Sequence, residues 1–141
     1  MQASYRNRNR MSSIFSRIIA GEIPAYRVAE NDRFIAFLDI FPLTEGHVLV
    51  VPKVEIDRFF DVPDNLLQEW LIFAKPIALA IEKAFPCNRC GICVMGLEVP
   101  HAHMHLLPLN SEQDINFSRP RLKLDDHQLS AIRQRILEQL D

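Results

Sequence analysis

The sequence predicts a single α+β domain: a mainly antiparallel five-stranded sheet covered by one long helix, with a short helix N-terminal to it and another at the C-terminal end. Three observations predict it. Short segments rich in β-branched and aromatic residues, bounded by turn pairs and prolines, lie on both sides of one long stretch whose apolar residues return every three or four positions. The chain has 141 residues, 48% hydrophobic and 24% charged, which suits one core of ordinary size. No internal repeat is visible, so neither a solenoid nor a propeller fits.

The elements follow in order. Ile14, Phe15, Ile18 and Ile19, with Ser12 or Ser13 ahead and Gly21 and Pro24 behind, predict a short amphipathic helix. Extended segments at Tyr26 to Glu30 and Phe34 to Leu38 flank Asn31-Asp32, a turn pair that suits a hairpin. His47 to Pro52 is a continuous β-branched run of the kind found centrally in a sheet. The long helix is expected from Asp64 to Phe85, with Pro76 removing a backbone donor and predicting a kink or break. Strands at Gly91 to Leu97 and His101 to Leu107 and a helix from Asp125 to about Leu140 complete the chain.

The net charge of −2 is unevenly placed, because residues 1 to 10 carry three arginines and no acid. The remaining 13 basic and 18 acidic side chains leave about −5 on residues 11 to 141. The head is expected to be a disordered extension and residues 11 to 141 one folded domain. An acidic domain without a basic stripe gives no reason to expect nucleic acid as a partner. No run reaches the roughly 18 to 20 apolar residues of a membrane span, so a cytoplasmic protein with no membrane partner is expected. Cys87, Cys90 and Cys93 are odd in number and crowded, which is no disulfide framework; Cys93 is expected in a strand and the other two in the turn entering it.

The chemistry concentrates in His101-Ala102-His103-Met104-His105. On a strand, alternation places all three imidazoles on one face, about 6 to 7 Å apart. Two functional readings compete with a structural cluster. Three imidazoles can hold a metal that activates water, or the middle one can attack phosphorus while its neighbours hold phosphate oxygens. Few carboxylates lie nearby to orient metal ligands from behind.

The run His101 to Leu107 resembles the His-φ-His-φ-His-φ-φ signature of the histidine triad (HIT) superfamily. Ile14-Phe15-Ser16-Arg17-Ile18-Ile19-Ala20-Gly21-Glu22-Ile23-Pro24 is similar to the opening of its Hint branch, and Phe37 to Ile40 followed by Gly46 to Lys53 to its central block. The resemblance covers residues 14 to 108 in order. It implies a HIT-like fold and a hydrolase or transferase acting without a metal or other cofactor at the α-phosphate of a nucleoside 5′-monophosphate derivative. The substrates expected from the family are purine nucleotide phosphoramidates or dinucleotide polyphosphates, and the expected assembly is a homodimer. His103 would be the nucleophile; His101, His105 and His47 would line the phosphate, although His47 also reads as a buried structural imidazole. Asp39 would hold the ribose, with a turn-forming Asp as the other reading. Phe15, Ile23 and Ile40 would border the base, and Ile18 reads more readily as core. Lys53 reads as a solvated end charge.

Two departures from the family stand out. Gly96-Leu97-Glu98-Val99-Pro100 replaces a Gly-Gln-Ser/Thr-Val segment that contacts phosphate, so Glu98 and Val99 occupy a nucleotide-binding position with a carboxylate that would repel phosphate unless turned away or paired. Zinc-bearing relatives carry C-x2-C near the opening where this chain reads Ser13-Ile14-Phe15-Ser16, so that structural zinc is expected to be absent. Arg119 and Arg121 read as a solvated basic pair, with a phosphate tail as the other possibility. A metal-dependent phosphohydrolase using His101, His103 and His105, and a nucleotide-binding or sensing module with little turnover, remain as alternatives.

Overall fold

The structure is a computed structural model that describes residues 12–140, so the basic head lies outside the described residues. The elements are α1 (Ile14–Ile19), β1 (Arg27–Glu30), β2 (Phe34–Leu38), β3 (Val48–Pro52), α2 (Asp64–Ala84), β4 (Arg89–Cys93), β5 (Met104–Leu109) and α3 (Asp126–Leu137). The strands form one sheet in the order β1-β2-β3-β5-β4, antiparallel at every pairing; five strands in a mainly antiparallel sheet are what the sequence predicts, and the order comes from the structure. Among the described residues no helix is long and apolar enough to cross a membrane.

Local chemistry accounts for the boundaries. The Ser13 hydroxyl accepts from the Ser16 N–H and caps α1, which stops before Gly21 at φ +80°. Asn31 Oδ1 accepts from the N–H groups of Arg33 and Phe34 and closes the first hairpin. Asp125 and Gln128 form a capping box that starts α3.

Strand alternation sorts the sheet into two apolar faces. Val48 and Val50 of β3 join Met104 and Leu106 of β5 beneath α2 and α3, whose Trp70, Ile77, Ile81, Ile132 and Ile136 complete the larger core. The Trp70 indole N–H donates to the Val50 carbonyl at 3.2 Å, so its one polar group is satisfied inside that core. The opposite face carries Ile35, Phe37, Leu49 and Val51 and is covered by Phe15 and Ile18 of α1. Both faces being covered explains why β2 and β3 are buried throughout and read as continuous apolar runs.

Four expectations need correction. The long helix is not broken at Pro76: it runs unbroken from Asp64 to Ala84, because Pro76 and Ile72 face outward, where water can serve the carbonyl that lost its donor. The last strand begins at Met104 rather than His101, since the N–H of His101 bonds Val99 O and that of Ala102 bonds Ile56 O instead of joining the ladder. The strand before it spans Arg89–Cys93 instead of Gly91 to Leu97, which puts Cys90 inside the strand rather than in the turn. The C-terminal helix closes at Leu137, short of Leu140.

Candidate active site

Residues of odd number on adjacent strands point to the α1 face, so Asp39 at the end of β2, His47 before β3, and His103 and His105 at β5 converge there. Gly46 sets the approach of His47: its φ is +95°, and a Cβ there would come within 2.8 Å of the Phe85 ring.

The hydrogen bonds of the four imidazoles determine where each proton sits. The Leu43 N–H donates to His47 Nδ1 at 3.1 Å, so the proton of neutral His47 is on Nε2. That Nε2–H faces His105 Nδ1 at 2.9 Å, which makes Nδ1 the acceptor and leaves the His105 proton on Nε2. His103 Nδ1–H donates to the His101 carbonyl at 2.8 Å, leaving its Nε2 with a lone pair. His101 Nε2–H donates to the Pro52 carbonyl at 2.8 Å, and its Nδ1 accepts from the Ser13 hydroxyl at 2.7 Å. Backbone groups with fixed polarity therefore assign three of the four tautomers directly, and that of His105 through His47.

Burial reinforces the assignment. His47 and His101 are 1% and 0% exposed, against 7% for His103 and 6% for His105, so the latter two are the imidazoles with a path outward. Desolvation, with His105 and Arg121 nearby, pushes the His47 pKa down to about 2. Desolvation and the neighbouring His103 take His105 down to about 4. Both rings are neutral near pH 7, so His105 serves as a hydrogen-bond donor rather than a cation.

The remaining expected residues divide. The Phe15 ring lies edge-on to His103, centroids 4.9 Å apart, with Ile18, Ile23 and Val99 in or against the same apolar cluster. Ile40 is 48% exposed and is not part of that cluster. Asp39 forms the turn that its other reading expects: Oδ1 accepts from the Phe41 N–H at 2.9 Å, while Oδ2 lies 3.7 Å from His47 Nε2. Glu98 is exposed, lines a surface depression together with Arg17 and Glu22 of the α1 region, and has no hydrogen bond or ion pair among the described residues. Lys53 ends β3 in an ion pair with Glu30.

Sequence reasoning did not place Glu55, Phe117 or Arg121 at the site, nor the serine pair Ser13 and Ser16 in a network. Glu55 Oε1 accepts from the Ser13 N–H at 2.9 Å and the Ser16 hydroxyl at 2.7 Å, tying α1 to His101. The two serines that replace C-x2-C thus form, with Glu55 and His101, a hydrogen-bonded cluster. Phe117 packs edge-on against His105 at 4.7 Å, and Arg121, expected to be solvated, turns inward to Phe41 O at 2.7 Å. Only the Ser-x2-Ser spacing left a trace in the sequence; Glu55, Phe117 and Arg121 reach the site through loops.

A metal held by the triad does not fit this donor set. His101 has both ring nitrogens engaged, and the group Asp39, His47 and His105, whose ligand atoms lie within 4.8 Å of one another, includes a His47 nitrogen that carries a proton. Freeing it would break the Leu43 bond or require an imidazolate.

A five-stranded antiparallel sheet with four buried imidazoles on one face, two of them slightly exposed, is the arrangement of a histidine triad protein. The chain belongs to the HIT family, whose HIT domain model matches residues 20–112. Among its relatives, the adenosine 5′-monophosphoramidase HNT1 of Saccharomyces cerevisiae is 32% identical over 91% of this chain and 82% of its own length. Protein hit of Bacillus subtilis is 36% identical over 72% of this chain and 73% of its own. A Hit-like protein from Bartonella henselae, described as involved in cell-cycle regulation, superposes with a TM-score of 0.80 at 28% identity, covering 92% of this chain and 98% of that one. A zinc-bound histidine triad protein from Mycobacterium smegmatis superposes at 0.75 with 26% identity, covering 91% and 95%.

Proposed function

We propose that this protein is a nucleotide hydrolase that cleaves adenosine 5′-phosphoramidates, or related purine nucleotide derivatives, through a nucleotidyl intermediate on His103. The observation that carries the reading is the tautomer chain, which leaves one unprotonated nitrogen without a hydrogen-bond partner among the described residues, His103 Nε2, beside one free donor, His105 Nε2–H. In the first step Nε2 attacks the α-phosphorus, an N–P bond forms, and the bond to the leaving group breaks; the departing amine takes its proton from water. In the second step water attacks the phosphorus and the N–P bond breaks, which releases the nucleoside monophosphate and returns the lone pair to Nε2; the proton this water gives up neutralises the hydroxide left when the amine was protonated. His105 donates to the phosphoryl oxygens as negative charge builds on them. The His101 carbonyl accepts more strongly as the His103 ring gains positive charge. The relation to the yeast monophosphoramidase supports the P–N bond and the adenine base.

The same reading includes a single HIT domain over residues 11–141 and a homodimer. Support for the dimer comes from Leu71, Ile72 and Leu79 on the outer side of α2, exposed by 55%, 72% and 47%, and from β4 at the open edge of the sheet.

The test is turnover of adenosine 5′-phosphoramidate with and without a chelator, with intact mass recorded after rapid quenching. Chelator-resistant release of AMP and a protein species heavier by one adenylyl group, both lost in His103→Ala, are expected. Turnover that survives His103→Ala would sink the nucleophile; turnover lost to the chelator would restore the metal reading.

A further inference from the structure

We infer that Arg121 is a positioning residue: it holds the Asp39 carboxylate toward the sugar hydroxyls and so makes the site select ribose over 2′-deoxyribose. This rests on the nucleotide reading above, in which Asp39 receives the sugar.

The guanidinium is built into place from three sides. Its Nη1 donates to Phe41 O at 2.7 Å and stands 3.5 Å from Asp39 Oδ2, and its carbon lies 5.3 Å from the centroid of the Phe117 ring. The Leu122 N–H bonds Pro42 O at 2.8 Å, so the segment carrying Arg121 is fastened to the loop between Asp39 and His47. Phe117 in turn packs on His105 and, at 6.1 Å, on His47. Arg119, two residues earlier, turns instead to Gln113 O and Asp114, which separates the two arginines that look equivalent in sequence.

The carboxylate is held but not saturated. Oδ1 is taken by the Phe41 N–H, whereas the two contacts of Oδ2, to Arg121 and to His47, are 3.5 and 3.7 Å long and leave its lone pairs open to a ligand hydroxyl. Burial favours the protonated acid, and Arg121 opposes this by favouring the charged acceptor. An ionised carboxylate can accept from both vicinal hydroxyls of a ribose, and a 2′-deoxyribose forfeits one of those bonds.

The experiment is calorimetric binding of AMP and 2′-deoxy-AMP to the full chain, compared with Arg121→Gln and Arg121→Lys, each checked by thermal melting. Wild type is expected to prefer AMP by roughly tenfold, the value of one hydrogen bond to a charged group. Arg121→Gln should weaken AMP and collapse the preference to about twofold or less, Arg121→Lys should restore part of it, and Arg121→Gln added to Asp39→Asn should change it no further. An unchanged preference in folded Arg121→Gln overturns the assignment. So does an equal loss for both nucleotides that persists in Asp39→Asn, which would mean that Arg121 meets the phosphate itself. A wild-type protein that binds neither nucleotide overturns the nucleotide reading, and this inference with it.

Discussion

The His103 Nδ1–H donates to the backbone carbonyl of His101, two residues earlier, across 2.8 Å, and this bond determines which ring nitrogen can act. A backbone oxygen cannot become a donor, so it holds His103 in one tautomer whatever its side-chain neighbours do. Long-range nitrogen–proton NMR spectra at neutral pH should show His103 protonated at Nδ1 and bare at Nε2, and His105 the reverse. A His103 protonated at Nε2 would remove the nucleophile from the proposed mechanism.

The buried imidazoles also make stability depend on pH. Their folded pKa values lie below the unfolded value near 6.5, at about 2 for His47 and about 4 for His105, so the unfolded chain binds more protons as the pH falls. Their contribution is complete above 6.5 and is lost as the pH drops toward those folded values, by about 1.4 kcal/mol per group per pH unit. Melting temperatures measured from pH 7 to pH 4 should fall, and His47→Gln should flatten the slope while lowering stability at pH 7. Parallel profiles for wild type and variant would show that His47 does not titrate on unfolding.

Glu55 holds α1 against the triad through Ser13 and Ser16, so its removal strands the Ser13 N–H and Ser16 hydroxyl at a partly buried site. Glu55→Ala should cost about 1 to 3 kcal/mol in denaturant unfolding, whereas Glu55→Gln, which keeps an acceptor oxygen, should cost less. Equal losses for the two variants would mean that charge, not acceptance, matters at this position.

The exposed Ile72 provides the test of assembly. Sedimentation at increasing concentration should show a wild-type dimer and an Ile72→Glu monomer that retains its helical circular dichroism. A wild type that stays monomeric throughout would refute the dimer.

Much of the fold was legible in the residues themselves. Ile35, Phe37, Leu49 and Val51 alternate with Ala36, Leu38, Val48 and Val50, and the long helix shows its buried stripe through Trp70, Ile77 and Ile81, because period-two and period-3.6 burial are written directly into residue order. Where a backbone partner came from a distant loop, the reading failed: Ile56 O draws Ala102 out of β5 while His101 turns back onto Val99 O, and no residue beside Ala102 announces the Ile56 contact.

The site divides in the same way. The spacing of His101, His103 and His105 singled out the cluster and left metal binding and nucleophilic attack both open, since the identity of titrating groups on a short segment is a local property. The roles of those groups came from tertiary contacts: Leu43, Pro52 and the His101 carbonyl set the tautomers, Glu55 anchors α1, and Arg121 arrives at Asp39 from 82 residues away. Proton position, desolvation and ion pairing depend on what surrounds a group in space. Sequence order therefore specified which titrating residues stand together, and packing decided which nitrogen of each holds the proton.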